Sequence, residues 1–197
     1  MVHSAASTFE GKVPLMHIKE TGIPGLLLLE PRVHRDARGF FLETWREDWA
    51  SLLKAPAPFI QDNHARSEAK GVLRGLHYQS PPHAQSKLVW VTRGAVYDVA
   101  VDLRASSPTF GSWFGVELTA QNFLRLYVPR GFAHGYLTLE AGTEFHYKVD
   151  AYYAPEHDCG IAWNDPDLGI SWPEASLILS EKDAALPRLS GITTPFS

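Results

Sequence analysis

The sequence predicts a mainly β protein, built as a sandwich or barrel with short peripheral helices. Three observations support this: short apolar or alternating stretches recur along the chain, Gly, Pro and Asp separate them, and helical periodicity is confined to two brief segments. Many short strands at close spacing are typical of such folds. The chain has 197 residues, enough for one domain with a sizeable core. We therefore expect residues 1–197 to form a single domain.

The predicted strands lie in the stretches GLLLLEP, GFFLETW, GVLRGLHYQ, LVWVTRGAVYDVAVDL, WFGVELT, FLRLYVP, GYLTLE, TEFHYKVDAYY and GIAW. The stretch LVWVTRGAVYDVAVDL is long enough for two strands that meet at TRG. Because Gly94 can adopt the positive φ of a tight turn, we expect these two strands to pair as a hairpin.

Two segments are predicted to be helical. In the segment from Arg46 to Lys54, the apolar residues Trp49, Leu52 and Leu53 fall at positions i, i+3 and i+4. The second segment is SEKDAAL, in which Ser180 is a suitable N-cap.

Composition excludes several classes of partner. A net charge of −4 gives no electrostatic reason to expect nucleic acid. The single cysteine, Cys159, cannot form an intrachain disulfide, which favours a reducing compartment. The longest apolar run, IPGLLLLEP, is too short to span a bilayer. We expect a cytoplasmic protein that binds neither nucleic acid nor membrane.

An arginine and a histidine lie in the apolar strand GVLRGLHYQ, residues 71–79. A neutral imidazole can accept a proton near neutral pH when a carboxylate or carbonyl fixes its tautomer, so His77 is either a base or a hydrogen-bonded core residue. Strict alternation would place Arg74 and His77 on opposite faces of the sheet. Both can reach one pocket only if Gly75 interrupts the pleat, as a β-bulge does.

Two further side chains have both a structural and a chemical interpretation. Period two places Tyr147 on the apolar face of its strand beside Phe145, where it is a packed core residue or an acid. Tyr153 is predicted to share that face. Lys87 shares a face with Val89, and it either extends to water or stabilises an enolate oxygen in a barrel mouth.

The stretch VPRGFAH has P-x-G-x-x-H spacing and ends at His134. It resembles the second motif of the cupin double-stranded β-helix, a jelly-roll barrel. Metal-binding cupins carry H-x-H and a Glu in the first motif, whereas the matching strand here reads HYQ from His77. These two imidazoles are too few for a catalytic zinc or iron site, so we predict no metal. Surface positions are expected for His3, His17, His34, His64, His83 and His157.

Several strings, taken in order, resemble the dTDP-4-dehydrorhamnose 3,5-epimerase family: RGFFLETW, QDNHARS, GVLRGLHYQ, KLVWVTRGAVYDVAVDLR, SPTFGSWFGVELT, VPRGFAHGYLTL, EFHYKVDAYYAPEHDCGIAWNDPDLGISWP and LSEKD. The match runs from about residue 14 to residue 190. The resemblance implies a cofactor-independent isomerase that inverts C3 and C5 of dTDP-4-dehydro-6-deoxy-D-glucose, on the route to dTDP-L-rhamnose. The C4 ketone of that sugar acidifies both neighbouring C–H bonds.

The resemblance also implies catalytic roles. His77 matches the family's base and Tyr147 the acid that returns a proton to the opposite face. Asp183, in LSEKD, matches the aspartate that orients the base, and Lys87 matches a lysine near the developing enolate.

Substrate-binding roles are implied at further positions. Arg74 matches an arginine on the diphosphate, and Tyr153 matches a residue stacked on the thymine. Asp158 stands where many relatives carry Glu, so its contact is an open question. The other implied contacts to nucleotide or substrate are Arg38, Glu43, Gln61, Asn63, His134 and Lys182.

The resemblance further implies a homodimer. In the family, an N-terminal strand segment, here about residues 14–45, crosses to the neighbouring subunit, so that each site is built from two chains. Arg38 and Glu43 belong to this segment.

Two alternative functions remain open from the sequence. One is an epimerase that acts at C3 only, with the same base and acid. The other is a sugar-nucleotide-binding jelly roll without activity, which the presence of His77, Tyr147 and Lys87 together disfavours.

Overall fold

The computed structural model describes residues 16–174 and 176–197. Its strands are β1 (Met16–Glu20), β2 (Leu27–Pro31), β3 (His34–Asp36), β4 (Gly39–Phe41), β5 (Gln61–Ser67), β6 (Leu73–Gln79), β7 (Lys87–Arg93), β8 (Ala95–Asp102), β9 (Trp113–Thr119), β10 (Arg125–Val128), β11 (Phe132–Thr138), β12 (Thr143–Val149) and β13 (Asp158–Gly160). Its helices are α1 (Trp49–Leu53) and α2 (Glu181–Ala184), with 3₁₀ turns at Pro155–His157 and Leu189–Gly191.

The strands form two large antiparallel sheets and a separate hairpin. The six-stranded sheet has the order β1-β2-β10-β7-β12-β5, and the five-stranded sheet has the order β13-β6-β11-β8-β9. Within the two described ranges, residues 16–174 and 176–197, strands β3 and β4 pair only with each other. The prediction of a mainly β sandwich or barrel with short helices is therefore confirmed.

The predicted hairpin at TRG is wrong. Strand β7 pairs with β10 and β12, whereas β8 pairs with β11 and β9. Gly94 does have the expected positive φ, 75°, and a Cβ at this position would lie 2.4 Å from Thr143 Oγ1. The turn at Gly94 therefore connects the two sheets. Strands β7 and β8 do not pair with each other because each pairs with strands that are more distant in the sequence.

The core lies between the two sheets, and further apolar clusters cover parts of their outer faces. The central cluster combines residues of both sheets, among them Val89, Val91, Ala100, Leu118, Phe132, Tyr136 and Phe145. A second cluster joins Leu76 and Val101 to Phe196 near the C-terminus. In the third cluster, α1 packs on Leu88 and Tyr127 of the six-stranded sheet.

The two helices are short and differ in how well they were predicted. In α1, Trp49 and Leu53 are buried, but Leu52 is 42% exposed, so its assignment to the apolar face is wrong. The predicted cap of α2 is confirmed, since Ser180 Oγ accepts a hydrogen bond from the Asp183 backbone N–H at 3.1 Å. Among residues 16–174 and 176–197, no helix is long and apolar enough to cross a bilayer.

Candidate active site

A cavity of about 460 Å³ lies between the two sheets. Its walls come from β5, β6, β7, β11 and β12, together with the segment that leads into α2. Seven of the residues singled out by sequence line it: Arg74, His77, Lys87, His134, Tyr147, Lys182 and Asp183.

A bulge in β6 allows two of these residues to line one cavity. Between Arg74 and His77, β6 advances three residues, whereas their partners Tyr136 and His134 on β11 are two apart. Gly75, within the extra step, has φ 123°, and a Cβ there would lie 2.6 Å from a backbone Cα of β11. The predicted interruption of the pleat at Gly75 is confirmed.

His77 and Asp183 form a hydrogen-bonded pair at the cavity wall. His77 Nε2 lies 2.5 Å from Asp183 Oδ1, and the aspartate is buried. Burial lowers the pKa of His77 below its usual value, and the neighbouring Asp183 carboxylate opposes that shift. The imidazole is thus mostly neutral near pH 7. With Nε2 engaged by the carboxylate, Nδ1 is the nitrogen that can accept a proton.

Lys87 lies in the cavity wall rather than extending fully to water. Burial lowers its pKa to about 8, against the opposing effect of the carboxylates of Asp158 and Asp98. Its ammonium form therefore dominates at neutral pH and is lost in mildly alkaline solution. A cation in a largely desolvated wall can stabilise a developing oxyanion.

A second histidine–carboxylate pair places its imidazole, His134, in the cavity wall, and its aspartate was not identified from the sequence. His134 Nε2 lies 2.9 and 3.1 Å from the two carboxylate oxygens of Asp98. Both side chains are buried, with Asp98 fully so. The sequence does carry a signal for this pair, because Asp98 lies inside the apolar strand AVYDVAVD. A carboxylate buried in such a strand requires a partner.

Tyr147 lies on the wall formed by the six-stranded sheet. It is cross-strand neighbour to Asn63 on β5 and Val89 on β7, and it packs against the central core cluster. Burial raises the pKa of the Tyr147 phenol, with the Arg74 cation opposing. The side chain therefore keeps its proton at neutral pH and can donate it.

Five predicted nucleotide- or substrate-contacting residues form one polar network. Asp158 Oδ2 accepts hydrogen bonds from the Tyr153 hydroxyl at 2.9 Å and from Lys182 Nζ at 2.5 Å. Gln61 Oε1 accepts from the Tyr153 backbone N–H at 3.3 Å, and Gln61 Nε2 donates to Asn63 Oδ1 at 2.8 Å. The Asp158 side chain therefore reaches this network, although it is shorter than the Glu that many relatives carry at this position.

The prediction that Tyr153 shares the apolar face of Tyr147 is wrong. Strand β12 ends at Val149, and the Tyr153 side chain beyond it is 57% exposed. The Tyr153 ring, whose hydroxyl shares Asp158 with the cavity residue Lys182, is nevertheless exposed and available for stacking.

Arg38 and Glu43 are not brought to the cavity of their own chain. Arg38, at the tip of the β3–β4 hairpin, pairs with Asp36 at 2.5 Å, and Glu43 pairs with Arg46 at 3.5 Å. Neither residue lines the cavity. The same hairpin exposes Phe40, so this surface is apolar as well as charged.

Comparison with known proteins agrees with this arrangement. The profile of the family described as dTDP-4-dehydrorhamnose 3,5-epimerase matches residues 20–191. A protein of that name from Escherichia coli (strain K12) is 53% identical over 173 residues, which cover 87% of this chain and 93% of that protein. The chain belongs to the dTDP-4-dehydrorhamnose 3,5-epimerase family.

Solved structures extend the comparison to the fold. A dTDP-6-deoxy-D-glucose-3,5-epimerase from Legionella pneumophila Philadelphia 1, in complex with dTDP-4-keto-L-rhamnose, has TM-score 0.88 and 46% identity, covering 92% of this chain and 98% of that one. A 3'-monoepimerase from Streptomyces bikiniensis, in complex with dTDP-quinovose, has TM-score 0.81 and 36% identity, covering 86% of each chain. The predicted cupin-type jelly roll and the predicted isomerase family are confirmed.

Proposed function

We propose that this protein epimerises dTDP-4-dehydro-6-deoxy-D-glucose at C3 and C5, yielding dTDP-4-dehydro-L-rhamnose. One observation carries the proposal. His77 on the five-stranded sheet, with its partner Asp183 from α2, lines the same cavity as Tyr147 and Lys87 on the six-stranded sheet. A base and an acid on facing walls can act on opposite faces of one sugar ring.

In the proposed reaction, His77 Nδ1 removes the proton from C3, and the electron pair moves toward the C4 ketone oxygen as an enolate. The Lys87 ammonium stabilises that oxygen, and Asp183 stabilises the imidazolium. The Tyr147 phenol then delivers its proton to the opposite face of C3. Exchange with solvent removes the proton from His77 and restores the Tyr147 phenol, after which the same sequence inverts C5.

Nucleotide binding is proposed at the polar network beside the cavity. Tyr153 is the residue we assign to the thymine, and Lys182 and Arg74 supply positive charge for the diphosphate. The Arg74 guanidinium can donate two parallel hydrogen bonds to phosphate oxygens. His134 contacts the sugar, and Gln61, Asn63 and Asp158 contact the nucleotide.

We further propose a homodimer in which the segment of about residues 14–45 reaches the neighbouring subunit, so that Arg38 and Glu43 complete the partner's site. The position of both residues outside the cavity of their own chain supports this. The test mixes an Arg38→Ala subunit with a His77→Ala subunit. Shared sites predict that mixed dimers regain activity, because one site then holds His77 and Arg38 from different chains. Sites made by single chains predict no recovery.

A C3-only epimerase is the second candidate, favoured by the similarity to the 3'-monoepimerase. The deciding experiment incubates the protein with dTDP-4-dehydro-6-deoxy-D-glucose in D₂O without a reductase and reads deuterium by NMR. Label at C3 and C5 supports the double epimerase, whereas label at C3 alone supports the second candidate. No label contradicts both and leaves a binding protein. Activity that survives exhaustive chelation would support the prediction that the reaction needs no metal.

A further inference from the structure

A cluster of two histidines and one glutamate lies on the outer face of the six-stranded sheet, opposite the cavity. Alternation along β12 turns Tyr147 inward and therefore turns Glu144 and His146 outward. His64 on β5 lies directly across from His146 in the strand register. One possible ligand atom from each of these three residues lies within 4.8 Å of the others.

The three side chains of this outer-face cluster contact one another directly. The rings of His64 and His146 stack with centroids 4.0 Å apart and planes inclined by 15°, and His64 Nε2 lies 3.4 Å from Glu144 Oε2. Two imidazoles and one carboxylate are therefore in mutual contact on this face.

Surrounding contacts hold the cluster in place without occupying all of its ligand atoms. The indole of Trp90 on β7 stacks on the His146 ring at 5.7 Å with planes inclined by 14°. Arg66 Nη1 lies 3.4 Å from Glu144 Oε1, so the other carboxylate oxygen faces His64. The backbone ladder between β5 and β12 fixes the spacing of the three residues.

We propose that His64, Glu144 and His146 bind a divalent transition-metal ion of the zinc class, with water completing the coordination. Two imidazole nitrogens and one carboxylate oxygen form a ligand set typical of zinc sites with open positions. The ion would cross-link β5, an edge strand, to β12 directly behind Asn63 and Tyr147. It would therefore stabilise a wall of the cavity from the outer face and take no part in proton transfer.

The test titrates chelator-treated full-length protein with Zn²⁺, using competition with a chromophoric chelator, and repeats the titration with Co²⁺ to read d–d absorption. We expect one ion per chain. His64→Ala and His146→Ala should each weaken Zn²⁺ binding by at least the roughly 10–100-fold that loss of an outer-shell partner costs. Glu144→Gln, which preserves the side-chain shape, should weaken it as well.

Two controls make the outcome specific. His17→Ala removes an exposed histidine from β1, outside the cluster, and should bind Zn²⁺ as the wild type does. Cu²⁺ should quench part of the tryptophan fluorescence of the wild-type protein, because Trp90 is stacked on a proposed ligand. This quenching should be lost in Trp90→Phe. Wild-type affinity in the His64, His146 and Glu144 variants would overturn the proposal. Loss of the bound ion in the His83→Ala variant would also overturn the proposal, because His83 belongs to a separate histidine–glutamate cluster.

Discussion

Two histidine–carboxylate pairs lie in the walls of one cavity, yet they differ in access. The His77 side chain is 29% exposed and its partner Asp183 comes from a short helix, whereas the His134 side chain is 6% exposed and its partner Asp98 comes from the neighbouring strand. The Asp183 carboxylate engages Nε2 of His77, so Nδ1 is the ring nitrogen that can accept a proton. Both pairs join an imidazole to a carboxylate but differ in how much of the imidazole is exposed, and in the proposed mechanism only His77 transfers a proton.

The largest expected effect separates the two histidines. His77→Ala should lower both epimerisation and deuterium exchange by about 10³-fold, within the range for loss of a general base. His134→Ala should lower kcat/KM by only about 10-fold, as expected for a lost hydrogen bond to substrate. Steady-state rates and NMR exchange measure both, and dTDP affinity of His77→Ala should change little. Substantial exchange in His77→Ala would exclude it as the base.

A second prediction tests the opposite wall. Tyr147→Phe removes the proposed proton donor but leaves the His77–Asp183 pair intact, so inversion should fall by about 10²-fold while exchange of substrate protons falls much less. The ratio of exchange to inversion in D₂O is the measured quantity. Equal loss of both processes would contradict the division between base and acid.

The two aspartates should respond differently to removal of their charge. Asp183→Asn is expected to lower kcat by about 10–100-fold, because the imidazolium loses its stabilising carboxylate and the His77 pKa falls further. Asp98→Asn should lower the rate only a few-fold and should also lower the pKa of Lys87, whose charge Asp98 stabilises. The measurement is the pH profile of each variant. An alkaline limb that moves in Asp183→Asn but not in Asp98→Asn would contradict the assignment.

The smallest effect is the pH dependence of the unmodified protein. In the proposed mechanism neutral His77 is the base, so activity should fall on the acid side, at pH values below the usual histidine pKa because burial lowers that pKa. The proposed mechanism uses the Lys87 ammonium to stabilise the enolate, so kcat/KM should decline as pH rises through the Lys87 pKa of about 8. Lys87→Arg keeps its charge at that pH and should lose the alkaline decline, which a profile from pH 5 to about 10 would reveal.

Local features of the structure were predictable from the sequence because they depend on neighbouring residues. Period two in TEFHYKVDAYY placed Tyr147 inward, Gly75 supplied the expected bulge, and Ser180 caps α2. Each of these follows from backbone geometry or from a hydrogen bond that spans only a few residues. The roles of the site residues came from the family resemblance rather than from these patterns.

Long-range pairing could be decided only by the tertiary structure. Strands β7 and β8 are adjacent in sequence but lie in different sheets, and the polar stretch QDNHARS forms β5 because β12 supplies its hydrogen bonds. Likewise, Asp183 reaches His77 across 106 residues, and Asp98 meets His134 through the register of β8 with β11. The sequence by itself determined which side chains could do chemistry, while strand pairing and packing between distant segments determined which of them meet, because those energies depend on contacts that no local pattern encodes.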